Sequence, residues 1–154
     1  MKKIILLIVF ILLNSCGKEF NREEIISKYD KTDFSFFKET TIFDRYGVYM
    51  IYKNNLPLYA VDYSHTLNTI IKVRKPIEFD EDYLTENQIE QIIKEFRKFE
   101  FNFLSVDENQ NVKFHISSGK CTHFFLKKNP DSELTEKNYQ KINENWFYDV
   151  RCAE

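Results

Sequence analysis

The sequence predicts an α+β domain, an antiparallel sheet of about six to seven strands with one main helix, about residues 86–98, packed on one face. Three observations carry that expectation. Apolar and polar residues alternate with period two in several short segments. One segment alone has a sustained helical period. The connections are short and turn-like, which favours antiparallel neighbours over crossovers.

The elements follow in order. Phe34 to Phe43 is aromatic but has no clear period. From Tyr46, the residues Val48, Met50 and Tyr52 alternate with Tyr49 and Ile51. Lys53-Asn54-Asn55 reads as a turn, and Leu58 to Tyr63 alternates again, so residues 46–63 are expected to form a β-hairpin. Thr69 to Arg74 is a third strand, ended by Pro76. In the helix, Thr85 is placed to cap the N-terminus, and Gln88 three residues on completes a capping box. Leu84 and Ile89 stand at the positions of a hydrophobic staple. Ile89, Ile92, Ile93, Phe96 and Phe99 then recur on one face, and Lys94, Arg97 and Lys98 suit the negative end of the helix dipole.

Beyond the helix, Phe101 to Val106 is a strand and residues 107–111 a turn. Val112, Phe114 and Ile116 alternate with Lys113, His115 and Ser117; Ser118-Gly119-Lys120 turns the chain; Cys121 to Lys127 returns. Asn129-Pro130-Asp131 breaks the pattern, and Thr135 to Ile142 reads as a short helix. Trp146 to Cys152 is the last strand, with Trp146, Tyr148, Val150 and Cys152 on one side. The resulting order is β-β-β-α-β-β-β-(α)-β.

Composition limits the function. The chain has 154 residues, 43% hydrophobic and 30% charged, which is globular rather than disordered. With 15 Phe and 9 Tyr, aromatic side chains must fill much of the core. Three glycines leave almost no material for a phosphate-cradling loop, and no GxSxG, P-loop or dinucleotide fingerprint occurs. The formal net charge is −2, so nucleic acid is not an expected partner.

The first sixteen residues, MKKIILLIVFILLNSC, carry the most specific signal. Lys2 and Lys3 precede an unbroken apolar run from Ile4 to Leu13. Ten residues are too few to span a bilayer, which takes about 20, and fit the core of a secretory signal. Leu13-Asn14-Ser15-Cys16 then resembles the lipobox of bacterial lipoproteins: a leucine three before the cysteine and a small residue directly before it. Asn14 departs from the usual small or aliphatic residue there. The resemblance implies that residues 1–15 are a signal peptide, that Cys16 is lipidated and becomes the N-terminus, and that its acyl chains hold the protein on a membrane. It implies the cell envelope as location, with the outer membrane, on its periplasmic or surface side, as the expected site. Loss of Lys2 and Lys3 would take the net charge to about −4.

Residues 16–33 are polar and are expected to be the lipidated cysteine and its tether, leaving 34–154 as one globular domain. Glu19, Glu23 and Glu24 weakly resemble surface-export signals, and a solvated linker is the plainer reading. Asn21 is placed to cap a short helix there, with Glu24 as its reciprocal partner.

The domain offers four candidate sites. Cys121 and Cys152 form a pair in an exported, oxidising context, which favours a disulfide over two reduced buried thiols. His115 and His123 would face each other across a three-residue turn at 118–120, on one face, as a weak metal site; two half-exposed histidines on a solvent face are the plainer reading. Glu78, Asp80, Glu81 and Asp82 lack the spacing and glycine of a calcium loop and read as a solvated loop. Tyr46, Tyr49, Tyr52, Tyr59 and Tyr63 crowd one hairpin; as exposed residues, Tyr49, Tyr52, Tyr59 and Tyr63 would make a binding surface, with cross-strand packing as the plainer alternative.

The expectation is a lipid-anchored envelope protein with a small non-catalytic domain that binds another envelope protein, without cofactor. The alternatives are an immunity or inhibitor lipoprotein that neutralises a toxin or hydrolase, and a small hydrolase.

Overall fold

The computed structural model describes residues 20–54, 56, 58–75, 83–134 and 137–153. The leader with Cys16, and the acidic run at 78–82, lie outside the described residues. The chain divides into two compact units, Met1–Thr32 and Asp33–Glu154.

The first unit holds helix α1, Arg22–Tyr29. Asn21 caps it as its type and position suggest, its side-chain oxygen accepting from the amides of Glu23 at 3.1 Å and Glu24 at 3.2 Å.

The second unit is α+β and contains one antiparallel sheet of nine strands. The strands are β1 (Thr40–Arg45), β2 (Val48–Lys53), β3 (Tyr59–Ser64), β4 (Thr69–Arg74), β5 (Phe103–Val106), β6 (Val112–Ser118), β7 (Cys121–Lys127), β8 (Gln140–Lys141) and β9 (Trp146–Cys152). Helix α2, Glu86–Phe96, joins β4 to β5. The sheet order is β4-β3-β2-β1-β5-β6-β7-β9-β8. Two meanders, β1 to β4 and β5 to β7, therefore meet at β1 and β5, and β9 slots between β7 and the short edge strand β8.

The expected sheet of six to seven strands is thus too small, and the described residues hold two helices, α1 and α2. The additions have local causes. In β1 the first three residues are all buried, so the strand shows no alternation to read. Thr41 lies on the opposite face from Ile42 yet is covered too, its hydroxyl 2.7 Å from that of Ser105. Tyr46 and Gly47, at φ 54° and 86°, form the tight β1–β2 turn, so Tyr46 is not in a strand. The segment expected as a helix at 135–142 instead supplies β8, whose two residues pair with β9.

Helix α2 forms for the reasons its sequence suggests. Thr85 Oγ1 accepts from the Gln88 amide at 3.3 Å, and Gln88 Oε1 accepts from the Thr85 amide at 2.8 Å. Ile89, Ile92, Ile93 and Phe96 are buried. The helix ends two residues earlier than expected because Arg97 caps it and the Lys98 amide closes a tight turn on the Glu95 carbonyl. Its packing partners are on β2 and β3. The Phe96 and Tyr49 rings meet edge to face at 6.1 Å, the Leu84 amide donates to the Tyr59 hydroxyl at 3.5 Å, and Arg97 donates to the Tyr63 hydroxyl.

The same sheet face continues as a stack of rings. Phe34 meets Phe99 at 5.4 Å, Phe99 stacks on Phe101 at 5.0 Å, Phe101 on Phe114 at 4.1 Å and Phe114 on Phe125 at 5.0 Å. Trp146 closes on Phe114 edge to face at 6.0 Å. Ile93→Ala is expected to destabilise the domain by about 2–5 kcal/mol, because the cavity cannot collapse under the helix. Ile71→Ala, at a side chain 67% exposed on the edge strand, should change stability by no more than about 0.5 kcal/mol. Urea midpoints of the two variants check the contrast.

Candidate functional site

The register of the sheet sorts the candidate residues. Tyr49, Tyr59 and Tyr63 are 2%, 1% and 9% exposed, on the face under α2. Their exposure as a binding surface is therefore overturned: the helix that follows β4 folds back over them. Burial pushes the Tyr49 hydroxyl up to about 12, with Asp44 adding to the effect. Tyr52 alone of the four lies on the other face, partly exposed.

The two histidines do not pair. Gly119, at φ 59°, and Lys120 make a two-residue turn in which Ser118 is opposite Cys121. A three-residue turn would have set His115 against His123. The shorter turn sets His115 against Phe124 and His123 against Ile116, so the two imidazoles point to opposite faces. His123 is buried, its Nδ1 2.7 Å from the Tyr148 hydroxyl. Among the described residues no group of three His, Cys, Asp or Glu side chains converges to hold a metal ion.

Cys121 and Cys152 do come together. They are direct partners in the β7–β9 register, with Cα atoms 4.0 Å apart and sulfurs 2.00 Å apart, the distance of a disulfide bond. Their Cα separation is closer than the usual span of about 4.4–6.8 Å.

The face away from α2 holds what the alternation pattern hid. Phe43, Phe103, His115 and Phe124 stand side by side on β1, β5, β6 and β7. Their rings form a row. Phe43 lies 6.5 Å from Phe103, Phe103 stacks on His115 at 4.1 Å, and His115 meets Phe124 edge to face at 4.4 Å. The Arg151 guanidinium sits 4.7 Å over the Phe124 ring, and its Nε donates to Asp149 at 3.0 Å. All four ring residues are partly exposed, while Leu126 on the same face is fully covered. Burial among these rings, with Arg151 adding to it, holds His115 down at about 4.

Next to the row is a cleft of about 490 Å³, lined by Glu39, Thr41, Tyr52, Asn54, Ser105, Val106, Asp107 and Glu108. Glu39 and Asn54 both have positive φ, 60° and 50°, and the Asn54 amide donates to the Glu39 carbonyl at 3.0 Å. Asp107 is engaged locally: its two carboxylate oxygens accept from the Asn111 amide and the Asn111 side chain, each at 2.8 Å.

No family model, curated protein or solved structure matches this chain. The site has to be read from its own chemistry. It combines a row of aromatic rings with a polar, acidic cleft. The row was missed in the sequence because Phe43 sits in the unreadable β1. Phe103 and His115 share their side of the strand with Ser105, Lys113 and Ser117, which reads as polar, and in β7 both sides carry a Phe, so alternation does not single out Phe124.

Two outcomes follow. The folded state holds His115 neutral, while the unfolded chain takes up its proton below about 6.5. Stability from this residue is therefore complete above pH 6.5 and is lost as pH falls towards 4. Urea midpoints at pH 7.5 and 5.0 should differ less in His115→Phe than in the wild type; His123, also held low by burial, leaves a residual slope in both. Separately, dithiothreitol should lower stability by about 2–4 kcal/mol in the wild type and leave the Cys121→Ser, Cys152→Ser double variant unchanged. A wild type indifferent to reductant would mean that the thiols are not bonded in solution.

Proposed function

We propose that this is a lipid-anchored cell-envelope protein whose domain, without catalysis or cofactor, binds another envelope protein through the open face of its sheet. The observation that carries the binding role is the partly exposed row Phe43–Phe103–His115–Phe124. Aromatic side chains left at a surface give large contact area at low entropic cost, and they concentrate binding energy in protein interfaces. The anchoring role rests on the resemblance of residues 13–16 to a lipobox. Among the described residues no helix is long and apolar enough to cross a membrane. An inhibitor of a toxin or hydrolase is a special case of the same proposal, in which the bound protein is the one silenced.

Fractionation tests the anchor. Cys16→Ser should move the protein from the membrane fraction to the soluble one; a variant that still sediments with membranes, uncleaved, would show that the leader itself is the anchor. Affinity capture from detergent-solubilised membranes tests the surface. A partner held by the wild type should be recovered at least tenfold less with Phe103→Ser or Phe124→Ser. Equal recovery with both variants places the interface elsewhere.

A further inference from the structure

The cleft and the aromatic row are one continuous surface. Thr41 and Phe43 are two residues apart on β1, and Ser105 and Phe103 two apart on β5, so each pair points to the same side about 7 Å apart. The charge on this surface is uneven. Glu39, Asp107 and Glu108 line the cleft, and none of its described lining residues is basic. Lys113, opposite Ser105 in the β5–β6 register, and Lys38, bridged to Val106, stand beside the cleft, while the carboxylates lie in its lining and set the charge a ligand meets inside it. Asp107 is tied to Asn111 and contributes charge rather than contact. Glu39 and Glu108 are left to accept from a ligand, with the Tyr52 ring beside them. A carboxylate pair and a phenol ring suit an ammonium or a guanidinium, the ring by cation–π attraction and the carboxylates by charge-assisted hydrogen bonds. The volume lies in the range of ligand-holding clefts, roughly 300–1,000 Å³.

We propose that this cleft receives a Lys or Arg side chain of a protein partner, while apolar side chains flanking it in that partner lie along Phe43, Phe103, His115 and Phe124. The proposal rests on the protein-binding role of the sheet face and adds the chemistry of the segment bound. The same carboxylates repel phosphate, nucleic acid and acidic glycans.

Fluorescence anisotropy of labelled peptides on the full chain in detergent micelles tests it. The probes are acetyl-Phe-Arg-Phe-Arg-amide and its glutamate analogue acetyl-Phe-Glu-Phe-Glu-amide, with arginine amide as free competitor. The arginine peptide should bind at least tenfold tighter than the glutamate peptide. Glu39→Gln with Glu108→Gln should weaken it at least tenfold and flatten its salt dependence, whereas Glu90→Gln, on the far side of the molecule's helix α2, should not. Phe124→Ala should weaken the peptide but leave competition by arginine amide intact, which separates a protein segment from a free amine. Equal affinity for the two peptides, or full affinity in the double glutamine variant, overturns the proposal. If the double glutamine variant keeps a captured membrane partner that Phe103→Ser loses, the cleft is refuted and the binding face stands. If arginine-peptide binding depends on the cleft but no partner is lost with Phe103→Ser or Phe124→Ser, the cleft stands and the wider face is refuted.

Discussion

The continuous stack of rings through Phe114 is the constraint on which the second unit depends. Phe114 is fully buried and touches Phe101, Phe125 and Trp146, which come from the loop before β5, from β7 and from β9. Stacking here joins elements far apart in the chain, and aromatic contacts of this geometry add about 0.5–1.5 kcal/mol each beyond their buried area. The β5–β6–β7–β9 ladder could not keep its register if Phe114 faced the other way, because a one-residue slip exchanges the faces of a whole strand. Large flat rings thus fill the core on this side of the sheet.

Much of this architecture was legible. Strands β4, β7 and β9 and the capped start of α2 lie where alternation and capping chemistry put them. What escaped reading had definable causes. The first half of strand β1 is covered on both faces, so its period is blank. The meeting of β1 with β5 depends on tertiary packing that no local pattern encodes. The histidine pair failed on a single residue of turn length: Gly119 allows a two-residue turn, and that moved His115 to the face opposite His123. The tyrosines failed because alternation says which side chains share a face, but not which face a later helix will cover. Cys121 and Cys152 succeeded because one antiparallel pairing of two legible strands was enough to set them opposite each other.

The two faces of the sheet divide the work. The face under α2 spends its aromatic residues on cohesion, and there the hydroxyls of Tyr59 and Tyr63 are tied to the Leu84 amide and the Asn68 side chain. On the opposite face, rings of similar size stand in a row that solvent still reaches. His115 belongs to that row as a flat neutral ring between Phe103 and Phe124, not as a charge or a ligand. Its neutrality keeps the row uncharged at the centre, with the carboxylates of the cleft at one end and the Arg151–Asp149 pair beside Phe124 at the other.

The junction of β1 with β5 also dictates an order of assembly. A chain made from its N-terminus completes β1 to β4 before β5 exists. During that interval β1, central in the finished sheet, is an open edge with unpaired backbone groups and with Ile42 and Phe43 uncovered, the kind of template on which other chains add strands. Until β5 pairs with it, that edge is open to strand addition by other chains. The intervening α2, whose capping box lets it form locally, is the segment that shortens the search by which β5 finds that edge.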